Sequence, residues 1–256
     1  GFADVFNKLQ PDLIVVLGDR FEIFAAVSAA MVARIPVAHL HGGEVTEGAF
    51  DESFRHSISK MSHLHFTATE ESRNRVIQLG ERPDRVFNVG AIGVDNIVRL
   101  KLLDRSAFQQ AIDFQLGEKN ILVTFHPVTL EDATAKDQFQ SLLDVLDEQD
   151  DVHIIFTKAN SDTNGHIINT MIDDFVAKNF ERSTCFSSMG QLRYLSALQF
   201  MDGVVGNSSS GLIEVPSFKI GTINIGDRQR GRTKANSIID CLPNSYSIKL
   251  AMNELF

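Results

Sequence analysis

Short apolar runs ending in glycine, histidine or asparagine alternate with helical patterns along the whole chain, and this alternation restricts the fold more than any other feature of the sequence. Runs of that length are strands, and a helix between consecutive strands is the connection that a parallel sheet requires. Near-continuous apolar strands belong to parallel sheets buried on both faces. Strands are expected over 13–17, 36–41, 63–67 and 86–89, with helices over 21–33, 52–62 and 70–79, the last closed by Gly80. After a stretch of helix and connection over 92–115, a second series begins. Its strands are expected over 120–125, 152–157, 184–187, 203–206 and 221–225, and its helices over 135–146, 166–178, 191–198 and 210–215.

Two consecutive series predict an α/β chain of two Rossmann-like domains with parallel sheets, divided at 1–105 and 106–256. Their ligands collect in a cleft at the carboxyl ends of the strands. The opening segment from Phe2 to Leu9 has helical periodicity with no cap before it, so the first domain reads as incomplete at its N-terminus.

Charge narrows the partners. Lys and Arg number 24 against 33 Asp and Glu, a net charge of −9, which disfavours the backbone attraction that nucleic-acid binders use. No apolar run approaches the roughly 20 residues that span a bilayer, so neither nucleic acid nor membrane is an expected partner. Two cysteines, Cys185 and Cys241, lack metal-type spacing and point to a reduced, cytoplasmic setting.

The polar clusters fall just after the strands, where a parallel sheet presents its ligand face. Gly18-Asp19-Arg20 places an acid beside an arginine, suited to a sugar hydroxyl and a phosphate; the alternative is that Asp19 caps the following helix. His39-Leu40-His41-Gly42-Gly43-Glu44 leads into Asp51, Glu52, Arg55 and His56, where Asp51 and Arg55 lie one turn apart and can pair. A metal site at His39, His41 and Glu44 is not expected, because alternate strand residues face opposite ways. His126, in Phe125-His126-Pro127, closes the first strand of the second series.

The strongest local signal is Gly206-Asn207-Ser208-Ser209-Ser210-Gly211, running from strand into helix, with Glu214 beyond it. Hydroxyls and unpaired N–H groups at a helix start suit a diphosphate, and Glu214 suits the hydroxyls of a ribose. A plain serine-rich helix cap is the alternative. The segment is neither a Walker A loop nor a GxGxxG fingerprint. Arg228, Arg230 and Arg232 follow another strand, offering forks for phosphate oxygens, and Asn160 adds an amide.

In this order, the segments GDRFE, HGGE with DESFRH, FHP, GNSSSG with Glu214, and NIGDRQRGR resemble the hydrolysing UDP-N-acetylglucosamine 2-epimerases of sialic-acid and related nonulosonic-acid pathways. The resemblance implies a glycosyltransferase B-like fold, a homo-oligomer, and no metal or other cofactor. It also implies the reaction of UDP-N-acetylglucosamine with water to give UDP and N-acetylmannosamine. On it, Asp19 and Asp51 are the carboxylates nearest the sugar, with Arg55 orienting Asp51. His126, Arg228, Arg20, Ser208 and Ser209 meet the diphosphate. Glu214 holds the ribose, while Asn160 and the backbone near Met189 lie on the uridine side.

One departure bears on the sugar. The sialic-acid members read EGGE where this chain has His41 in HGGE, which leaves the glutamate's role to His41, Glu44 or Glu47. The change resembles the branch acting on UDP-diacetamido-trideoxy sugars, such as UDP-N,N'-diacetylbacillosamine. A non-hydrolysing 2-epimerase and a non-catalytic UDP-sugar-binding protein are the other readings.

Overall fold

A computed structural model of the chain describes residues 1–45, 51–127, 134–159 and 165–256. The chain divides into two compact units, Gly1–Asp95 and Asn96–Phe256. Residues expected before the domain boundary at 105/106, among them Ile97, Leu100 and Leu103, pack into the core of the second unit.

The first unit runs α1 (Phe2–Leu9), β1 (Ile14–Leu17), α2 (Phe21–Val32), β2 (Val37–Leu40), α3 (Asp51–Lys60), β3 (Leu64–Thr67), α4 (Glu70–Gln78) and β4 (Val86–Asn88), with α5 (Ile92–Arg99) crossing into the second. Local chemistry sets the ends. Thr69 Oγ1 accepts from the Ser72 N–H at 3.1 Å to start α4, and Gly80 takes a φ of +96° just after it. The four strands are parallel in the order β1-β2-β3-β4. Each right-handed crossover adds its strand on the same side, so the connecting helices share one face of the sheet.

That face holds the core. Val16 and Val37 of the sheet pack with Val27 and Ala30 of α2 and Ile58 of α3. His39 and His65, register partners on β2 and β3, are fully buried as well. On the opposite face Val15, Leu17 and Phe87 are 63%, 56% and 43% exposed. The expectation of a sheet buried on both faces is therefore corrected for this unit. The run Ile14-Val15-Val16-Leu17 is apolar throughout, but within the unit only alternate residues meet helices.

The second unit runs α6 (Arg105–Ile112), β5 (Lys119–Thr124), α7 (Thr134–Asp147), β6 (Val152–Thr157), α8 (Gly165–Lys178), β7 (Ser183–Phe186), α9 (Gly190–Leu198), β8 (Gly203–Gly206), α10 (Ser210–Ile213), β9 (Gly221–Ile225), β10 (Ile238–Cys241) and α11 (Ser245–Leu255). Its six parallel strands stand in the order β10-β9-β8-β5-β6-β7, the doubly wound arrangement. Here both faces are covered. Ile121, Val123, Ile154, Phe156 and Val205 pack toward α7, α8 and α11. Leu122, Ile155 and Val204 point the other way, toward Phe108 of α6 and Leu195 and Leu198 of α9. Strand β10 and helix α11 extend the pattern beyond the elements legible in the sequence. Among the described residues no helix is long and apolar enough to cross a membrane.

Strands β5 and β8 are neighbours, with Gly206 opposite Thr124. Gly206 has a φ of +142°, and a Cβ there would overlap the Thr124 carbonyl oxygen. Glycine is required twice over, by conformation and by contact. Gly206→Ala should lower unfolding stability by about 2 kcal/mol or more, through backbone strain and the displaced strand. Chemical denaturation checks this; an unchanged midpoint would contradict the packing described.

Candidate functional site

In a doubly wound sheet the strand order reverses between the first strand and the fourth, and the loops leaving those strands diverge to opposite faces. The opening they leave is where such sheets take ligands. In the second unit these strands are β5 and β8, so the loop at Phe125-His126-Pro127 and the segment Asn207-Ser208-Ser209-Ser210 stand side by side.

Asn207 joins them. Its side chain is buried, with Oδ1 accepting from the His126 N–H and Nδ2 donating to the His126 carbonyl, each at 2.7 Å. Its own N–H donates to the Thr124 carbonyl at 3.1 Å. Its carbonyl accepts from Arg228 Nη1 at 3.0 Å and from Gln229 Nε2 at 2.8 Å, which brings in the loop after β9. One residue thus ties three strand ends together.

The serines follow directly. The expected helix over 210–215 is shorter than its pattern: α10 has four residues, Ser210–Ile213, and passes into a 3-10 turn at Val215–Phe218. Pro216 has no N–H to continue the helical ladder, so the aligned dipoles at Ser208 and Ser209 are few. Any anion grip rests on hydroxyls, N–H groups and arginine rather than on a long helix. The Tyr194 hydroxyl of α9 hydrogen-bonds to Ser210 Oγ. Burial pushes the Tyr194 phenol up to about 12, with the Glu214 carboxylate adding in the same direction. Glu214 sits at the end of α10 and donates its N–H to the Ser210 carbonyl at 3.0 Å.

Met189 precedes α9 with its side chain in the core, and its carbonyl accepts from Arg193 Nε at 2.7 Å. Asn160 and Glu47 lie outside the described residues.

The first unit carries the acids and histidines. Asp19, after β1, makes an ion pair with Arg55 of α3, whose side chain is buried. The helix-cap alternative for Asp19 does not hold: α2 is capped at Arg20 with no side-chain hydrogen bond. Arg55 also donates through Nη1 to the Glu44 carbonyl at 2.7 Å. Its described carboxylate partner lies 36 positions away in sequence. Asp51 opens α3, and its side chain lies outside the description.

His41 follows β2 with a φ of +61°, unusual for a residue with a side chain. Its Nδ1 donates to Glu44 Oε1 at 2.7 Å, and its Nε2 accepts from the Ile92 N–H at 3.4 Å. A carboxylate held by a guanidinium and an imidazole held by a glutamate are groups that can move protons. Arg20, by contrast, pairs with Glu22 in an exposed position at 3.3 Å.

Sequence reasoning missed three contributors. The sequence offers His39 only as a metal ligand, yet it lies buried against the Gly18 carbonyl. Asn207 was read as part of a phosphate loop rather than as the tie between loops. Gln229, 1% exposed, sat unnoticed between arginines. A polar residue inside an otherwise apolar strand end was the available signal for the first two.

Comparisons with known proteins show the family and the fold. The family model described as UDP-N-acetylglucosamine 2-epimerase matches residues 1–256. The chain is 43% identical over 239 residues to the GDP/UDP-N,N'-diacetylbacillosamine 2-epimerase (hydrolyzing) of Campylobacter jejuni, covering 93% of this chain and 62% of that protein. It is 43% identical over 256 residues to the polysialic acid biosynthesis protein P7 of Escherichia coli, covering 98% of this chain and 64% of that one. The chain thus spans a little over three-fifths of the length of these curated relatives. Among solved structures, the UDP-GlcNAc 2-epimerase of Neisseria meningitidis bound to UDP-GlcNAc superposes with a TM-score of 0.83 at 19% identity, covering 98% of this chain and 70% of that chain, a likeness of fold. With a family match over every residue and two such relatives, the chain belongs to the UDP-N-acetylglucosamine 2-epimerase family.

Proposed function

We propose that the protein is a hydrolysing UDP-sugar 2-epimerase, converting UDP-N-acetylglucosamine and water into UDP and N-acetylmannosamine. The observation that carries this reading is the β5–β8 switch point of a family member. There Asn207 ties the His126 loop, the serine segment and the Arg228 loop into one ligand-facing surface. A diphosphate-sized anion suits that surface, because serine hydroxyls, main-chain N–H groups and a guanidinium all donate.

In the proposed reaction a base removes the proton at C2, the bond from C1 to the UDP oxygen breaks, and UDP departs with the electron pair. Water then adds to the resulting 2-acetamidoglucal, its hydroxyl to C1 and a proton to C2 from the opposite face, which inverts that centre. Asp19, Asp51, His41 and Glu44 are the proton-transfer candidates, with Arg55 paired to Asp19. His126, Arg228, Ser208 and Ser209 carry the leaving diphosphate, with Arg20 near it. Glu214 takes the ribose, and Asn160 and the backbone near Met189 the uridine side. Free thiols at Cys185 and Cys241 accord with a reducing, cytoplasmic setting.

A second substrate has specific support. The Campylobacter relative is a diacetylbacillosamine enzyme, and His41 stands where sialic-acid members carry glutamate, so UDP-N,N'-diacetylbacillosamine is the alternative sugar.

The test is incubation of the full-length protein with both UDP-sugars, followed by mass spectrometry. Free UDP and a 2-epimeric amino sugar from either substrate are expected. A product sugar still attached to UDP indicates the non-hydrolysing reaction, and no turnover with either contradicts the proposal. Asp19→Asn should lower kcat by roughly 100- to 10,000-fold while leaving UDP affinity within about twofold. Arg228→Ala should weaken UDP binding by about 10-fold or more, as expected for loss of a charged hydrogen bond. Calorimetric titration with UDP separates the two effects.

A further inference from the structure

His39 is 0% exposed and takes no part in the roles above, yet both of its ring nitrogens are committed. Nε2 lies 2.8 Å from the Gly18 carbonyl and Nδ1 lies 3.1 Å from Ser59 Oγ. A carbonyl only accepts, so Nε2 carries the proton and donates, while Nδ1 accepts from the Ser59 hydroxyl. Gly18 is held from its other side too, its N–H donating to the Leu40 carbonyl at 3.1 Å, in a conformation with a φ of +83°. The next residue is Asp19.

Ser59 stands one helical turn after Arg55 on α3, and Arg55 grips the Asp19 carboxylate. The same helix face therefore holds Asp19 by its side chain through Arg55, and by its preceding peptide through Ser59 and His39. Gly42 packs over the arrangement: a Cβ there would lie 2.9 Å from Ser59 Oγ and 3.0 Å from His39 Nδ1. A side chain at Gly42 would push the pair apart.

We infer that His39 is a positioning residue for Asp19, acting as a neutral imidazole that fixes the Gly18 peptide and with it the direction of the carboxylate. The inference rests on the proposed role of Asp19 at the sugar. Burial, the largest influence, lowers the His39 pKa to about 4, consistent with a ring that stays neutral at the pH of the cytoplasm.

Three variants of the full-length enzyme test it. His39→Phe keeps a flat ring but removes the donor, and its kcat should fall about 100-fold with KM within about threefold, the pattern of a misdirected reacting group. His39→Gln retains an N–H near the Nε2 position and should recover at least about 10-fold of that loss. In the double variant His39→Phe with Asp19→Asn, kcat should match that of Asp19→Asn alone, because the positioned group is already gone. Losses that multiply, or no recovery with glutamine, would overturn the inference. Nitrogen-15 NMR of the histidine rings tests the geometry without turnover, with the Nε2–H tautomer expected and the Nδ1–H tautomer contradicting it. If the wild-type protein turns over neither UDP-sugar, the proposed activity fails by itself. The positioning claim is then decided by the carbon-13 titration of Asp19, which must shift between wild type and His39→Phe, and an unchanged titration overturns it.

Discussion

The arrangement of the strand ends in the second unit depends on the amide of Asn207. A buried amide that meets both polar groups of one peptide fixes position and orientation together, and here the peptide is that of His126. The contact exists only because β5 and β8 approach closely at Gly206, where any side chain would strike the Thr124 carbonyl. The Asn207 carbonyl then collects Arg228 and Gln229 from a third loop. Loops that leave separate strands would otherwise move separately. Bound through one residue, they hold one arrangement, which in the proposed reading spares the binding energy otherwise spent on ordering.

The first unit solves a similar problem with charge. Asp19 is partly buried and its partner Arg55 almost fully so, which is tolerable only while each answers the other. The Glu44 carbonyl satisfies a further donor of Arg55, so the guanidinium connects the loops after β1 and β2. His41 and Glu44 form their own pair at the end of β2. Helix α3 is thus more than a crossover. It carries Arg55 and Ser59, one turn apart, on the face turned to the strand ends, and through them sets the position of both loops.

Much of this architecture was legible in the sequence, and the reason is local. Strands at Val152–Thr157, Gly203–Gly206 and Gly221–Ile225 begin and end where expected, because each mainly apolar run is bounded by polar or turn-forming residues. Strand β10 escaped because Ile238–Cys241 is an edge strand, only partly buried, set among polar residues. Helix α10 was read too long because apolar spacing continues through Val215 while Pro216 ends the hydrogen-bond ladder. The contacts that organise the site were illegible for a different reason. Arg55 to Asp19, His39 to Gly18 and Asn207 to His126 join residues 36, 21 and 81 positions apart, and periodicity reports only on neighbours along one element. The motifs marked where polar groups gather; the fold decides which of them touch.

In the proposed reaction C2 of the sugar loses its proton and regains one from solvent while the bond to UDP is broken. Turnover of the full-length protein in deuterium oxide, with the released amino sugar examined by NMR, addresses this directly. Free UDP and one deuteron at C2 of an inverted sugar are expected. A released sugar that keeps its original hydrogen and configuration at C2 would contradict it.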